Sequence, residues 1–264
     1  MAPLFAQRAL TPFRAQSPSP HEALSLLTLN VWFGAHEQLR RAHATVQLIE
    51  QLAPTVVALQ EVTGPFLDVL AASPLAAQYH ASDLEGSTFD DYGIVLLSRA
   101  PFEDLFLAEI GGSMGRTMPW GVIAHGGERV AVGAVHLESG RHNAEARAEQ
   151  LVECFARLSP FDHAVLLGDT NFGDGDPHEE GAIPAEWIDA WRAKHPLDPG
   201  YTRDTGRNPM AAALRNGDLV QRRIDRVLTR SSRFQVSSAA IVADQPIAEG
   251  VFASDHFGLL VELG

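Results

Sequence analysis

Polar side chains that can bind metal ions, hold phosphates or transfer protons recur along this sequence where short apolar runs end. A carboxylate joined by an amide and a second acid suits a hard cation bound through oxygen, and Mg²⁺ is such a cation. Histidines and amides can donate to the equatorial oxygens of a phosphoryl group, and a free aspartate can take a proton from water. The residues placed in this way are Asn30, Glu61, His136, Asp169, Asn171, Asp255 and His256.

Each of these residues, taken alone, has a simpler structural role. Asn30 could cap a turn, Glu61 could be a solvated loop acid and His136 could be a satisfied histidine at a strand end. The run Asp169-Thr170-Asn171 is also typical of an Asx turn after a strand. Their joint occurrence, each after an apolar strand, favours the functional interpretation.

Arg116 and Trp32 are weaker candidates for contacts with a substrate. Arg116 precedes a predicted strand and could face the site to meet a phosphate, although a solvated hairpin arginine is an equal alternative. Trp32 lies two residues after Asn30 and could stack on a base or on an aromatic leaving group. A tryptophan in the core or at the rim is the simpler alternative for it.

The elements that must position these residues are short strands mixed with a few helices. Helical spacing of apolar residues predicts helices from residue 39 to about 53, over 63–70 and over 143–158. The stretch 172–222 is expected to be mostly loop with one helix around 187–192, and Gly126-Gly127 predicts a hairpin turn. Strands are predicted at 24–30, 56–59, 93–97, 102–107, 120–124, 130–137, 164–167, 224–228, 236–242 and 257–263. Because strands outnumber helices and hairpins mix with strand–helix units, we expect an α/β domain of mixed sheets packed on each other, with helices outside.

Composition sets limits on the location and partners of the protein. The formal net charge is −13, which argues against broad, sequence-blind adhesion to nucleic acid through basic residues. No apolar run approaches the roughly 20 residues needed to span a bilayer. Cys154 is the only cysteine, so an internal disulfide is excluded and a reducing, cytoplasmic location is expected. Residues 1–23 are predicted to be a flexible tail, and residues 24–264 a single domain.

Six short motifs resemble the endonuclease/exonuclease/phosphatase superfamily and occur in that family's order. The most specific are the Ser-Asp-His run near the C-terminus and Gly-Asp-Thr-Asn. The spelling is most similar to the branch that contains tyrosyl-DNA phosphodiesterase 2. The motifs are Thr28-Leu29-Asn30-Val31-Trp32, Leu59-Gln60-Glu61-Val62, His136-Leu137-Glu138-Ser139, Gly168-Asp169-Thr170-Asn171, Arg223-Ile224-Asp225-Arg226-Val227 and Ser254-Asp255-His256-Phe257-Gly258-Leu259.

The resemblance implies a four-layer α/β sandwich, two packed mixed β-sheets flanked by helices, with a site at one edge. It implies Glu61 as the main metal ligand, with Asn30 and Asp255 near the metal. The implied cofactor is Mg²⁺, with Mn²⁺ able to substitute and no cofactor beyond the metal.

The resemblance also implies roles for the other site residues. Asp169 would deprotonate the attacking water, and Asp225 would orient His256. The residues that would contact the phosphate are Asn171, His256, His136 and Ser139.

Two departures from the motifs bear on the substrate. Tyrosyl-DNA phosphodiesterase 2 carries an arginine two residues after the asparagine of Gly-Asp-Thr-Asn, where this chain has Gly173. Arg203 stands where relatives often have an aromatic residue. Both changes leave the phosphate chemistry intact and bear on the leaving group and the DNA contacts.

Three classes of function follow from these observations. The first is a Mg²⁺-dependent phosphodiesterase that acts on a nucleic-acid end, with DNA as the expected partner and the protein as a monomer. The second is hydrolysis of a small phosphorylated metabolite or a phospholipid head group, which the acidic charge and Gly173 favour. The third, a non-catalytic binding protein, is disfavoured because all the expected acids, amides and the final histidine are present.

Overall fold

The computed structural model describes residues 6–13 and 23–264, and these residues form two large sheets with helices on their outer faces. The strands are β1 Gln7–Ala9, β2 Leu24–Asn30, β3 Val56–Val62, β4 His80–Ala81, β5 Gly93–Ser98, β6 Phe102–Glu109, β7 Thr117–His125, β8 Glu128–His136, β9 His163–Asp169, β10 Ile188–Asp189, β11 Arg203–Asp204, β12 Gln221–Arg222, β13 Asp225–Arg230, β14 Val236–Val242 and β15 Gly258–Leu263. The helices are α1 Gln38–Leu52, α2 Gly64–Ala71, α3 Leu75–Gln78, α4 Ala144–Leu158, α5 Pro177–Ala182, α6 Ala190–Lys194 and α7 Pro209–Ala213, with a 3₁₀ turn at Arg141–Asn143.

The two large sheets are mixed, as expected. One has the strand order β1-β6-β7-β8-β9-β13-β10 and the other β14-β15-β2-β3-β5-β4. Each contains one parallel pair, β8 with β9 and β2 with β3, and its other neighbours run antiparallel. A parallel pair needs a crossover connection, and here α4 and α1 supply it with 15 residues each.

Three apolar clusters show how the layers pack. The first lies between the sheets and takes residues such as Leu26 and Leu96 from one sheet, and Val132 and Val165 from the other. The second joins the outer face of the smaller sheet to α1 and α2, and the third joins the outer face of the larger sheet to α4. The order is therefore helix, sheet, sheet, helix, which confirms the expected four-layer α/β sandwich.

The amphipathic spacing of α4 explains why it packs as it does. Leu151, Cys154, Phe155 and Leu158 are buried on one face, three or four residues apart, and they contact the larger sheet. Residues at this spacing share one side of a helix. The same spacing predicted this helix from the sequence.

Part of the expected N-terminal tail is a strand of the larger sheet. Gln7–Ala9 pair antiparallel with β6, and Phe13 forms an isolated bridge with Ala81. The backbone amide of Leu10 also donates to the carbonyl of Leu105 at 2.9 Å. The strand covers the edge of β6, which would otherwise present unpaired backbone groups. Residues 1–5 and 14–22 of that expected tail lie outside the described residues.

The stretch 172–222 contains more regular structure than expected. Besides α6 near the predicted helix, it forms α5 and α7 and the two-stranded sheet of β11 and β12. These elements have two to six residues. A periodic pattern cannot show in so few positions, so sequence spacing did not predict them.

No helix within residues 6–13 and 23–264 has the length and apolar character needed to cross a bilayer.

Candidate active site

The register of the larger sheet places three predicted site residues in one row. β9 lies between β8 and β13, and the Cα partners of Asp169 are His136 on one side and Asp225 on the other. All three residues are buried. Because a one-residue slip would turn these side chains to the opposite face, the ladder fixes their common direction.

Glu61 comes from the smaller sheet, where β3 is irregular. The pairing of β3 with β5 shifts between Leu59 and Val62, and Glu61 has a φ of 59°. A bulge redirects a side chain, and a left-handed backbone at a residue with a Cβ costs about 1–3 kcal/mol. The amide of Phe33 donates to Glu61 Oε2 at 3.0 Å, which holds the carboxylate in place.

Asn30 links the carboxylates of the two sheets. Its Nδ2 donates to Glu61 Oε1 at 3.0 Å and to Asp169 Oδ2 at 2.9 Å. On the other side, His136 Nε2 lies 3.8 Å from Glu61 Oε1 and 3.5 Å from Asp169 Oδ2. These four side chains form a closed ring in which two carboxylates alternate with two nitrogen groups.

The donor atoms of this region fit a hard divalent cation. Ligand atoms of Glu61, His136 and Asp169 lie within 4.8 Å of one another, and those of Asp169, Asp225 and His256 form a second such group. Glu61 and Asp169 bring like charges together, which a cation would neutralise. Carboxylate oxygens are also the ligands that Mg²⁺ prefers.

Asp255 lies outside both groups of ligand atoms. Its carboxylate is buried and accepts from two side chains: Ser254 Oγ at 3.4 Å and Arg203 Nη2 at 3.1 Å. Its expected position near the metal therefore stays a prediction.

Asp225 and His256 form the hydrogen-bonded pair that the sequence predicted. His256 Nδ1 lies 2.9 Å from Asp225 Oδ2 in a fully buried contact. Burial opposes the charged imidazolium, but the carboxylates of Asp225, Asp255 and Asp169 outweigh it and raise the pKa of His256 to about 10. The other ring nitrogen, Nε2, lies 4.0 Å from Asp169 Oδ2.

The environment of Asp169 raises the pKa of its carboxyl group toward neutral pH. Burial is the main cause that raises the pKa of Asp169, to about 6, and the negative charges of Asp225 and Glu61 also raise it. His256 and the hydrogen bond from Asn30 act in the opposite direction. At pH 7 the carboxylate form predominates, and it holds a proton more readily than an exposed aspartate does.

His136 is held in the neutral form. Burial is the largest cause that lowers its pKa, and the positive charges of Arg116 and His256 add to it. Arg116 Nη1 lies 3.1 Å from His136 Nδ1, and the arginine is buried rather than solvated. The two histidines therefore differ in charge, so they can play different parts around one phosphate.

The remaining predicted residues lie around this centre. Asn171 has a φ of 56°; its Nδ2 donates to the carbonyl of Leu137 at 3.0 Å, and its amide donates to Asp169 Oδ1 at 2.9 Å. Ser139 Oγ donates to Met114 Sδ at 3.4 Å, so its expected contact with the phosphate stays a prediction.

Trp32 belongs to the packing beside the site. It packs against a small apolar cluster that contains Phe257, and the guanidinium of Arg41 lies 4.6 Å from the centre of its ring. This placement favours the packing alternative over stacking on a substrate.

Two arginines at the site were not among the predicted site residues. Arg203, noted only as a departure from the motifs, has Nη1 2.8 Å from His256 Nε2. Arg41 is buried in α1 and donates to the carbonyls of Val31, Trp32, Gly34 and His36, which fixes the loop after β2. The sequence offered one signal for Arg41: it stands next to Ala42, on the apolar face of a predicted helix, where a charged residue is unusual unless it is paired.

A cleft of about 550 Å³ opens beside His136 and Arg116. Tyr92 lines it and stacks on Phe33 with ring centres 4.7 Å apart. The cleft therefore has an aromatic face and an arginine on its wall, next to His136, and has room for a group attached to a bound phosphate.

Comparison with protein families gives one match that spans most of the chain. The model of the Endonuclease/Exonuclease/phosphatase family matches residues 27–256. This range contains all of the site residues described above.

Named relatives are tyrosyl-DNA phosphodiesterases 2. That of Xenopus laevis is 27% identical over 234 residues, covering 84% of this chain and 61% of the relative. That of Bos taurus is 26% identical over 251 residues, covering 90% of this chain and 67% of the relative. The chain thus spans about three fifths to two thirds of the length of these relatives.

A solved structure has a similar fold. The crystal structure of tyrosyl-DNA phosphodiesterase 2 from Danio rerio, complexed with a single-strand DNA product, has a TM-score of 0.82 at 22% identity. It covers 92% of this chain and 100% of that chain.

Proposed function

Because the chain belongs to the Endonuclease/Exonuclease/phosphatase family, we propose that it is a metal-dependent phosphodiesterase acting on a nucleic-acid end. The observation that carries the proposal is the convergence on Asp169 Oδ2. Asn30 Nδ2 lies 2.9 Å from this oxygen, His136 Nε2 3.5 Å and His256 Nε2 4.0 Å. A buried carboxylate surrounded by hydrogen-bond donors is suited to proton transfer beside a bound phosphate.

In this mechanism Asp169 is the general base. A water positioned at Oδ2 loses its proton to the carboxylate as the water oxygen forms a bond to phosphorus. The bond from phosphorus to the ester oxygen of the leaving group breaks, and that oxygen keeps the electron pair and takes a proton from solvent. The pKa of about 6 keeps Asp169 mostly ionised at pH 7 and still basic enough to accept the proton.

The two histidines and Asn171 hold the phosphoryl oxygens. His256, charged and fixed through Nδ1 by Asp225, donates from Nε2 to a non-bridging oxygen whose negative charge grows during the attack. His136, neutral and ordered by Arg116, adds a second contact from the opposite side. Asn171 has one amide proton engaged with Leu137 and another left to donate.

We place the metal at Glu61, with Asn30 and Asp255 nearby. A divalent cation bound there would polarise the phosphoryl oxygen as a Lewis acid and neutralise developing charge. Mg²⁺ is the proposed ion, and Mn²⁺ is expected to replace it because it also prefers oxygen ligands.

The names of the relatives suggest the kind of nucleic-acid end. Tyrosyl-DNA phosphodiesterase 2 acts, by its name, on a tyrosyl-DNA phosphodiester, and we propose the same class of bond for this protein. The cleft beside His136, with Tyr92 and Arg116 on its wall, gives an aromatic leaving group a place to lie.

A second candidate substrate is a small phosphorylated metabolite. The net charge of −13 favours it, because an extended polyanion would be repelled by much of the surface. A Mg²⁺-supplemented substrate panel separates the candidates. The panel contains a 5′-tyrosyl oligonucleotide, an abasic duplex, a plain single strand, inositol phosphates and sphingomyelin.

We expect the 5′-tyrosyl oligonucleotide to be cleaved fastest, with loss of activity in EDTA. Asp169→Asn measured on the same panel excludes a contaminating enzyme. Faster turnover of an inositol phosphate than of every oligonucleotide would replace the leading substrate class with the second. No metal-dependent turnover of any phosphodiester would contradict the proposed chemistry.

The metal assignment has its own test in Glu61→Ala. Removing the principal carboxylate leaves fewer charged oxygens for the ion, so Mg²⁺ affinity is expected to fall at least tenfold. Calorimetric titration of Mg²⁺ into wild type and variant measures this directly. Equal affinities would remove Glu61 from the metal site.

A further inference from the structure

Arg203 is a charged group at the centre of the site that the motifs do not explain. Its side chain is largely buried, with 15% exposed, and its two terminal nitrogens contact different site residues. Nη2 donates to Asp255 Oδ2 at 3.1 Å, and Nη1 lies 2.8 Å from His256 Nε2. One acidic partner uses only part of the donor capacity of a guanidinium, which carries five N–H groups.

Arg203 contacts His256 at Nε2, the ring nitrogen that would bind a substrate oxygen. Asp225 occupies Nδ1, so Nε2 is the ring nitrogen that can donate to a substrate oxygen. Such an oxygen would lie about 2.8 Å from Nε2 and therefore no more than about 5.6 Å from Arg203 Nη1. A rotation at the end of the arginine side chain closes that distance.

The backbone that carries Arg203 is fixed to the catalytic pair. The carbonyl of Thr202 accepts from the amide of Phe257 at 2.7 Å, and Thr202 Oγ1 accepts from the amide of Asp225 at 3.1 Å. Arg203 itself pairs with Arg222 in the short β11–β12 ribbon. Asp225 itself and the residue after His256 thus hold the backbone next to this arginine.

The charges of the site also favour a cation at this place. Four carboxylates belong to the site: Glu61, Asp169, Asp225 and Asp255. Arg116 supplies a permanent positive charge beside His136, and Arg203 supplies one beside His256. The two arginines therefore flank the two histidines on either side of Asp169.

We propose that Arg203 is a phosphate-binding residue that donates to the same non-bridging oxygen as His256. In the free protein Nη2 binds Asp255, and Nη1 lies beside Nε2 of His256. The guanidinium and the charged imidazolium are both donors and cannot satisfy each other, so on binding both turn to one phosphate oxygen while Nη2 keeps Asp255. With Nη2 on Asp255, Nη1 is the donor to the phosphate, and a terminal phosphate, the group that cleavage of the diester leaves on the strand, offers it more free oxygens and more negative charge than an internal one. This assignment rests on the proposed function and names a group that recognises the phosphate at which the protein acts.

The test compares Arg203→Ala and Arg203→Lys with a control, Arg233→Ala. Arg233 is an exposed arginine whose Nη1 lies 2.9 Å from Glu128, so its removal also breaks an ion pair but away from the site. The first readout is binding in EDTA of a 5′-phosphorylated oligonucleotide and of the same oligonucleotide with a 5′-hydroxyl. The second is Mg²⁺-dependent kcat/KM on bis(p-nitrophenyl) phosphate, and the third is Tm.

We expect wild type and Arg233→Ala to prefer the 5′-phosphorylated strand. Arg203→Ala should lose about 10- to 100-fold in affinity for that strand with little change for the 5′-hydroxyl strand, because one charged hydrogen bond is removed. Its kcat/KM should fall by a similar factor. Arg203→Lys should keep part of the preference, since lysine retains the positive charge but lacks the separate donor nitrogens of a guanidinium.

Three results would overturn the assignment. An unchanged preference in Arg203→Ala would mean that the arginine does not contact phosphate. An equal loss for both strands, together with a lower Tm, would make it a structural partner of Asp255. Tighter phosphate binding in the variant would make it an occluding residue. Because binding is measured without metal, a protein that hydrolyses no phosphodiester would contradict the proposed function and leave this comparison intact.

Discussion

Asp169 Oδ2 accepts one short hydrogen bond and has two imidazole nitrogens 3.5 and 4.0 Å away. Such a carboxylate can be a base, a metal ligand or only a structural acceptor. Asp169→Asn separates these roles, because it keeps the size of the side chain and removes the base. Turnover should fall by about 10²–10⁴-fold, the usual contribution of a general base. Affinity for the phosphate should persist, because the histidines and Asn171 remain.

Single-turnover rate, substrate Kd and Mg²⁺ affinity measured on one preparation decide the role of Asp169. Loss of Mg²⁺ affinity together with turnover would identify a metal ligand. A rate within a few-fold of wild type would exclude the base.

The Asp225–His256 pair gives a prediction on pH. His256 is charged below its pKa, so a step that needs the imidazolium is lost as the pH rises through about 10. Asp225 is the largest of the groups that raise this pKa, and Asp225→Asn should move the alkaline limb of the pH–rate profile to lower pH while turnover falls. A profile measured from pH 5 to 11 tests this. If both proteins share one alkaline limb, Asp225 does not tune His256.

At this scale the sequence predicted residues that carry a recognisable chemical type at a strand end. Asn30, Glu61 and Asp169 stand there, and the structure joins them by hydrogen bonds. Arg203 could not be assigned in this way. It lies 53 positions from His256 in the sequence, and only the fold brings the two residues into contact. Arg116 was undecided, because a hairpin arginine has the same sequence signal whether it is buried or solvated.

At the scale of elements, a buried ion-pair network joins β10 and β13 to the loop after β9. The side chains of Arg223 and Arg226 are each 1% exposed and contact both Asp189 and Asp174 at 2.5–2.8 Å. Burial raises the pKa of Asp189, but the two guanidinium groups outweigh it and hold the pKa below its ordinary value of 3.8. The network therefore contributes stability that is present above about pH 4 and is lost as the pH falls through the folded pKa.

Asp189→Asn tests this network. Removing one partner leaves two buried cations short of negative charge, so the free energy of unfolding should fall by about 3–5 kcal/mol at pH 7. The loss should shrink as the pH falls below about 4 toward the folded pKa of Asp189, because wild type then loses this stability as well. Urea titrations at pH 7 and at several pH values below about 4 measure both effects. Glu128→Gln, at an exposed pair with Arg233, is the control and should cost less than about 1 kcal/mol.

The sequence predicted the long elements better than the short ones. α1 and α4 have apolar residues at helical spacing over 15 residues, and their bounds agree with the prediction within one or two positions. β11 and β12 have two residues each, and they exist because Thr202 and Asp204 find hydrogen-bond partners far along the chain. β1 was not predicted because its three residues, Gln7–Ala9, are too few and too polar to show a strand pattern. They form a strand by pairing with the edge of β6.

At the scale of the whole molecule, the site spans the junction between the two sheets. The hydrogen bond from Asn30 to Asp169 joins residues of different sheets, so its length depends on how the sheets pack. A cavity in the apolar layer between the sheets should therefore disturb catalysis as well as stability. A cavity on an outer face should affect stability alone.

Leu96→Ala and Leu151→Ala form a matched pair for this prediction. Both leucines are fully buried; Leu96 lies between the sheets, and Leu151 lies on the buried face of α4, against the outer face of the larger sheet. Each substitution should lower the free energy of unfolding by about 2–5 kcal/mol. At a temperature where both variants are folded, kcat should fall several-fold in Leu96→Ala and stay near wild type in Leu151→Ala. Equal kcat values would show that the site tolerates shifts between the sheets.

The parallel pairs of the two sheets have a further consequence, which concerns ancestry. Each sheet repeats one unit: a parallel strand pair, joined by a 15-residue helix and bordered by antiparallel strands. One unit ends in Asn30 and Glu61, and the other in His136 and Asp169. Duplication and fusion of a gene for a single unit would produce this arrangement, with one carboxylate from each unit bound to Asn30. The two carboxylates differ in their settings, since Glu61 sits in a bulge nearer to solvent and Asp169 is buried in its strand.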